Sequence, residues 1–388
     1  MKSSKCVILF LLLLIAGLSS AQEKPVINIP DILGYKTLKC DFHMHTVFSD
    51  GQVWPTVRID EAWRDGLDAI SITDHIEYRP NLKYFSKEKV VVSDHNLPYE
   101  IALEKAKQKD VLIIKGAEIT RAMPPGHCNA LFLTDINPLD TQWEDDGTGK
   151  QGWMGSGLLI NNWKEAFYEA KKQGAFIFWN HPGWKTQQPD NTLWWQEHTW
   201  LFENHLMDGI EVVNGNSYYP EAHQWAIDKN LTMIAGSDAH GPIGGKKRPV
   251  TLVFATERSV AAVKNALFDH RSAILSENKL FGERKFLDAI FFGSITIEPV
   301  IKTAEGYQII IQNSADISFE LSKAVANDVN LSFSEKIIIL AHKSATVDIR
   351  AAKPSSYHKI DLKFKVDNLF VAPNEGLPVT ISFITDGK

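Results

Sequence analysis

Asp41-Phe42-His43-Met44-His45-Thr46 closes an apolar run with two histidines two residues apart, and Gly236-Ser237-Asp238-Ala239-His240 repeats that spacing far down the chain. Successive side chains of an extended strand point to opposite faces, so His43 and His45 face the same way and can grip one ion. By the same rule Asp238 and His240 share a face while Ala239 turns away. Between these pairs, other short apolar runs border His75, Glu118, His127, His181 and Glu211. A parallel barrel opens at the carboxyl ends of its strands, so ligands scattered along the chain converge on one pocket. Any one histidine reads equally well as a hydrogen-bonded core residue. Taken together they do not, because this many imidazoles and carboxylates in one barrel mouth would be desolvated and would repel unless cations neutralised them.

Around these runs strands alternate with helices. Strands are expected at 39–45, 69–73, 111–119, 128–133, 175–180, 209–213 and 232–235, and helices at 56–65, 99–108, 163–172, 195–205 and 220–229. Helical stretches of this length between strands imply parallel pairing with right-handed crossovers, hence an α/β barrel. Residues 250–255 could close the sheet, and 259–271 read as the last helix of that domain. Beyond about residue 290 the character changes. Tryptophan ends at Trp225, and alternating segments at 294–301, 308–312, 336–340, 346–349, 359–366 and 378–384 read as short antiparallel strands of a β-sandwich. It carries no ligand-like spacing; His342 and His358 are isolated and read as surface residues. Its expected role is structural, in assembly or in binding.

The expected partition is a signal peptide at 1–21, a barrel at 22–290 and a β-sandwich at 291–388. Lys2 and Lys5 precede an apolar stretch at 7–15, and Ser19-Ser20-Ala21 offers small residues for cleavage before Gln22. The stretch is short for a spanning helix. Cys6 lies ahead of it, badly placed to become a lipidated first residue. A soluble exported protein, periplasmic or secreted, is expected. With 388 residues, 44% hydrophobic and 23% charged, the chain is an ordinary globular one with room for a large domain and a smaller one. Losing Lys2 and Lys5 takes the formal charge from −6 to −8, which argues against broad attraction to nucleic acid or anionic membrane. After cleavage only Cys40 and Cys128 remain, on the first and fourth strands; no disulfide is expected, and Cys128 reads as a buried free thiol.

Seven motifs carry a resemblance. HMHTVFSDG at 43–51, ITDH at 72–75, GAEIT at 116–120, GHCNAL at 126–131, NHPGW at 180–184, IEVVN at 210–214 and GSDAHG at 236–241 are similar, in order and spacing, to those of the PHP (polymerase and histidinol phosphatase) superfamily. The resemblance covers about 38–275. It implies a distorted seven-stranded barrel holding two to three divalent ions. His43, His45, Glu118 and Asp238 would hold the first, a bridging Glu118 with His127 and His181 the second, and Asp50, His75 and His240 the third. Some relatives carry histidine where this chain has Asp50. Glu211 has no ligand role in that pattern, and is expected to point outward or brace a neighbour. Imidazoles mixed with carboxylates suit zinc, manganese or iron. Two ions about 3.5–4 Å apart could bridge a hydroxide, lower its pKa and polarise a phosphoryl oxygen for in-line attack. Glu118, Asp238 and His240 are the expected catalytic residues, with Asp238 the first choice for the proton.

Other candidates stand around this set. Arg121 could clasp a phosphate oxygen bidentately or form a surface ion pair. Asn180 and Trp184, beside His181, are candidate substrate contacts, with Trp179 a further aromatic flank. Lys246-Lys247-Arg248 follows the last ligand strand, where barrels often bind phosphate, or is a solvated loop. Asp94-His95 echoes Asp74-His75 but reads as a cap for the following helix. The loop 136–157, with Trp143 and Trp153, reads as a lid. Together the aromatics suggest a partly apolar leaving group. Within the resemblance, an export signal with a C-terminal β domain looks like a subgroup that includes phosphodiesterases, so a small phosphodiester is the favoured substrate. The alternatives are a phosphomonoesterase of the histidinol phosphatase kind and a non-catalytic metal-binding scaffold.

Overall fold

The computed structural model describes residues 23–81, 94–140, 144–145, 158–159, 163–245, 247–325, 328–352 and 358–385. The expected signal peptide, Trp143 and Trp153 of the expected lid, and Lys246 lie outside the described residues.

Seven strands form the barrel wall: β1 (Lys36–Asp41), β2 (Ala69–Ile72), β3 (Leu112–Ile119), β4 (Cys128–Leu131), β5 (Phe176–Trp179), β6 (Gly209–Asn214) and β7 (Thr232–Gly236), hydrogen-bonded in chain order. Helices α1 (Pro55–Arg64), α2 (Leu97–Gln108), α3 (Glu165–Lys172), α4 (Gln196–Glu203) and α5 (Pro220–Lys229) connect them. α1 begins on Pro55, whose fixed φ suits the first turn and whose missing N–H costs nothing there.

One strand departs from the expected parallel order. β4 is antiparallel to both β3 and β5. The segment 120–127 contains no helix, and a parallel crossover needs about a dozen residues or more. The reversal puts the amino end of β4, and with it His127, at the same mouth as the carboxyl ends of its neighbours.

The seam between β1 and β7 closes in two stages. Past the strand ends, Met44 bridges Ala239, His45 N–H donates to the Ala239 carbonyl (3.0 Å) and Asp238 N–H to the His43 carbonyl (2.8 Å). Lower down, β8 (Val250–Ala255) pairs antiparallel with β1, and the Thr251 hydroxyl bonds both backbone groups of Ala235 on β7. After α6 (Val260–Phe268), β9 (Ser272–Ser276) and β10 (Lys279–Gly282) extend this sheet outward. Sequence reading missed both hairpin strands.

The helix α7 (Arg284–Ser294) runs through the border expected at 290/291. It leads to β11 (Ile295–Ile297), β12 (Gly306–Asn313), β13 (Phe319–Lys323), β14 (Lys336–Ile339), β15 (Ser344–Ala351), β16 (Lys359–Ala372) and β17 (Glu375–Ile384), which form a sandwich. One of its sheets contains β11, β12 and β15. The other continues the barrel sheet, because β10 pairs parallel with β16, Leu280 opposite Leu369 and Phe281 opposite Phe370. Asp316 of the sandwich also ties to Asn28 near the start of the described chain: Asn28 N–H donates to the Asp316 carboxylate (2.7 Å) and Asp316 N–H to the Asn28 carbonyl (2.9 Å). Cys40 and Cys128 are buried free thiols. His342 is exposed, as expected, and its ring bonds the Asp316 carboxylate.

Candidate metal centre

Nine side chains expected as ligands meet at one end of the barrel. β1 stops at Asp41, so His43 and His45 lie just beyond it in extended chain held on one side by Thr73 and on the other by Ala239. Glu118 sits near the end of β3, His127 before β4, His181 after β5, and Asp238 and His240 after β7. Asp50 comes from the turn after His45, tied by the bonds of Ser49 and Gly51 N–H to the Thr46 carbonyl. Asp74 secures that turn, accepting from Thr46 N–H (2.6 Å), the Thr46 hydroxyl and the Ser49 hydroxyl (2.6 Å).

Glu118 is fully buried at the middle of the set. Its Oε2 lies 3.2 Å from Nε2 of both His43 and His45 and 3.3 Å from His75 Nδ1; its Oε1 lies 2.8 Å from His127 Nδ1 and 3.8 Å from His181 Nε2. Asp238 Oδ1 is 3.1 Å from His45 and 3.3 Å from His43. Asp50 lies 3.1 Å from His240 Nε2 and 3.7 Å from His75 Nε2. Four groups bring their ligand atoms within 4.8 Å of one another: His45, Asp50, His75 and His240; His43, His45 and Glu118; His75, Glu118 and His127; and His43, His181 and Asp238. His181 therefore converges with His43 and Asp238 as well as facing Glu118.

The electrostatics are those of a site that wants cations. Burial disfavours every charge here. At His43 it is outweighed by Asp238, Glu211 and Glu118, which hold the imidazole well above its usual range. His45 is raised to about 10 against burial by Asp238 and Glu118. At His75 burial wins, over the opposing pull of Glu118, and the value falls to about 3. Asp50, despite burial, is lowered to about 2 by His240, His75 and His45, and the imidazoles hold Glu118 and Asp238 well below the carboxylate range. Buried His45 Nδ1 and His181 Nδ1 have no hydrogen-bond partner among the described residues. Unpartnered buried ring nitrogens beside ionised carboxylates fit divalent ions, which would displace the imidazole protons and neutralise the carboxylates.

Glu211 does not point outward. It is buried, with Oε1 2.8 Å from His43 Nδ1, while Oε2 accepts from His181 N–H (2.7 Å) and Asn214 Nδ2 (2.9 Å). This is the bracing role: the carboxylate fixes the His43 tautomer and leaves Nε2 for the centre. Glu211→Gln is expected to weaken metal affinity by about 10–100-fold, measured by chelator competition, without unfolding the chain. Unchanged affinity would remove Glu211 from the account.

Several neighbours fall elsewhere than expected. Asn180 is fully buried, and its amide pairs with Asn129 through Nδ2 to Oδ1 (2.9 Å) and Asn129 N–H to Oδ1 (3.2 Å), so it braces the barrel interior. Arg121 is buried with its guanidinium on Glu77, neither a surface pair nor an open clasp; burial lowers its pKa to about 10. Of the basic run, Lys247 is exposed, as a solvated loop requires, while Arg248 is tied to Asp41 (3.0 Å) and Asp65 (2.7 Å). His95 lies away from the cluster on Asp140 (3.0 Å). Asp94 binds Asn96 and Asn137, while Asn96 takes the N-cap position of α2 with no side-chain capping bond. Trp184 does reach the site, its ring centroid 5.1 Å from His181 and 5.9 Å from His127. Trp179 is core, stacked on His198 and Trp225. Thr120, whose hydroxyl lies 2.8 Å from His75 Nδ1, was missed; its position two residues after Glu118 was the available signal.

Known proteins resemble this chain at both levels. Residues 294–382 match the family of an Ig-like domain. A solved structure from Bacteroides vulgatus, described as a two-domain protein containing a predicted PHP-like metal-dependent phosphoesterase, is 47% identical over 94% of this chain and 100% of its own, with a TM-score of 0.83. A second, from Bifidobacterium adolescentis, is 17% identical over 54% of this chain and 90% of its own, at a TM-score of 0.37. An uncharacterized protein of Methanocaldococcus jannaschii is 35% identical over 89 residues, 22% of this chain and 36% of its own length.

Proposed function

This chain belongs to the PHP-like metal-dependent phosphoesterases, and we propose that it hydrolyses a small phosphodiester outside the cytoplasm. The observation that carries the reading is the convergence of three ionised carboxylates and six imidazoles at one barrel mouth. Two to three divalent ions, manganese, zinc or iron, would supply Lewis-acid polarisation of a phosphoryl oxygen and acidify the attacking water. His43, His45, Glu118 and Asp238 would hold the first, Glu118, His127 and His181 the second, and Asp50, His75 and His240 the third.

The chain's own groups divide the remaining work. Asp238 and His240 are the most open of the nine, with side chains 22% and 37% exposed, so they meet the incoming ester. His240 Nδ1–H donates to the Asp238 carbonyl (2.8 Å), which leaves Nε2 as its lone-pair atom. Asp238, ionised and at the rim, is placed to take a proton from water and return it to the leaving oxygen. Glu118 holds the imidazoles in register from below. Trp184 offers an apolar face beside His127 and His181, which suits an ester with a partly apolar leaving group. The charges of Arg121 and Arg248 are taken up by Glu77 and by Asp41 and Asp65, which favours a singly charged diester over a monoester dianion. Export rests on Lys2 and Lys5 ahead of the apolar stretch 7–15 and the small residues Ser19-Ser20-Ala21, and the net charge of −6 fits a small substrate better than nucleic acid.

The test is turnover by the metal-loaded protein lacking residues 1–21. Bis(p-nitrophenyl) phosphate is expected to be cleaved at least about tenfold more efficiently than p-nitrophenyl phosphate. Hydrolysis of the monoester alone would point to a histidinol phosphatase kind of activity and sink the diester reading. No turnover with ions bound would make the barrel a non-catalytic scaffold.

A further inference from the structure

Arg58, on α1, has no exposed surface, and all five of its N–H donors are engaged. Nε donates to the His45 carbonyl (2.9 Å). Nη1 donates to the Glu61 carboxylate (2.7 Å) and the Gly241 carbonyl (3.0 Å), and Nη2 to the carbonyls of Ala239 (2.6 Å) and His240 (3.1 Å). One planar group thus joins the backbone of the His43–His45 segment to that of the Asp238–His240 segment. Glu61 neutralises it and, through its other oxygen, accepts Ile243 N–H (2.8 Å), anchoring the chain that leaves the second segment. The segments need such a tie. Neither lies in a strand, and Asp238 has φ +51°, a left-handed conformation that costs most residues with a side chain about 1–2 kcal/mol and aspartate less.

We propose that Arg58 is a positioning residue: its guanidinium fixes the gap between the His43/His45 and Asp238/His240 pairs and so sets the geometry in which ions are held. It touches neither substrate nor ion. The proposal rests on the centre binding divalent ions and is independent of which ester is cleaved. Lysine carries the same charge but only three donors on one atom, so Arg58→Lys must break at least two of these five bonds.

The experiment titrates manganese into the mature protein against a chromophoric chelator and records the electron paramagnetic resonance spectrum of the bound ions. Arg58→Lys is compared with Ile59→Ala, the next residue of α1, equally buried but in the hydrophobic core. Arg58→Lys is expected to weaken manganese binding by at least about tenfold and to alter the spin-coupling pattern, whereas Ile59→Ala lowers stability and changes neither. Should Arg58→Lys fail to fold, Arg58→Gln, neutral with two amide donors, is put through the same comparison. An Arg58 variant with the parent's affinity and spectrum, or equal losses in the Arg58 and Ile59 variants, would overturn the proposal. A parent protein that binds no manganese, zinc or iron would instead overturn the reading of the centre itself.

Discussion

Replacing His43 by alanine, or Asp238 by asparagine, is expected to lower turnover by about three orders of magnitude or more, with the fold retained. His43 contacts three carboxylates at once: Glu211 at 2.8 Å, Glu118 at 3.2 Å and Asp238 at 3.3 Å. Without the imidazole, Glu118 and Asp238 lose one shared neighbour and Glu211 loses the group it orients. Asp238→Asn is the sharper change, because it keeps shape and removes one charge. It can also turn an amide N–H towards His45 Nε2, where the carboxylate oxygen now lies 3.1 Å away. His95→Ala supplies the control. That ring is also buried, but it binds Asp140 outside the cluster. Its loss is expected to cost about 1 kcal/mol of stability and to leave turnover within about twofold. Steady-state kinetics on the three variants decide the point, and near-normal rates in the first two would refute the assigned centre.

Ending the chain after Ser294 is expected to abolish folding of the barrel, not to release an active one. The core does not stop at the border. Phe254, Phe286, Leu287 and Phe291 belong to the same buried cluster as Phe319, Leu321, Phe364 and Ile381 of the sandwich. Phe291 packs edge-on against Phe319 at 5.0 Å, and Phe281 stacks on Phe370 at 5.1 Å. Truncation would expose these rings and leave β10 with an open edge where β16 pairs with it. The milder form of the test is Phe319→Ala, a buried truncation with an expected cost of about 3–5 kcal/mol in denaturant unfolding. A truncated chain that stayed soluble and unfolded cooperatively at the parent's midpoint would contradict this account.

Much of the centre was legible because its chemistry is local. Two residues of spacing in extended chain put His43 with His45, and buried apolar runs placed the strands that carry most of the other ligands; Asp238 and His240 come together by a different route, because Asp238 has φ +51° and the alternation of a strand does not hold there. What was not legible depended on partners distant in sequence. Arg121, Asn180 and Arg248 look like free polar groups until the fold sets them against Glu77, Asn129 and the pair Asp41 and Asp65. Strand direction was hidden for a similar reason: the apolar run of β4 reads the same either way, and only the helix-free segment 120–127 marks the reversal. Glu211 was first grouped with the ligands by its place on a strand end. Its bonds to His43 and the His181 backbone show it bracing them instead.

Anomalous diffraction from crystals of the metal-loaded protein, recorded at the manganese, iron and zinc absorption edges, tests the central claim most directly. Two to three peaks are expected inside the barrel mouth, each within bonding distance of atoms from His43, His45, Asp50, His75, Glu118, His127, His181, Asp238 and His240, at about 2.0–2.3 Å. Ions bound elsewhere, with no peak among these nine residues, would contradict it.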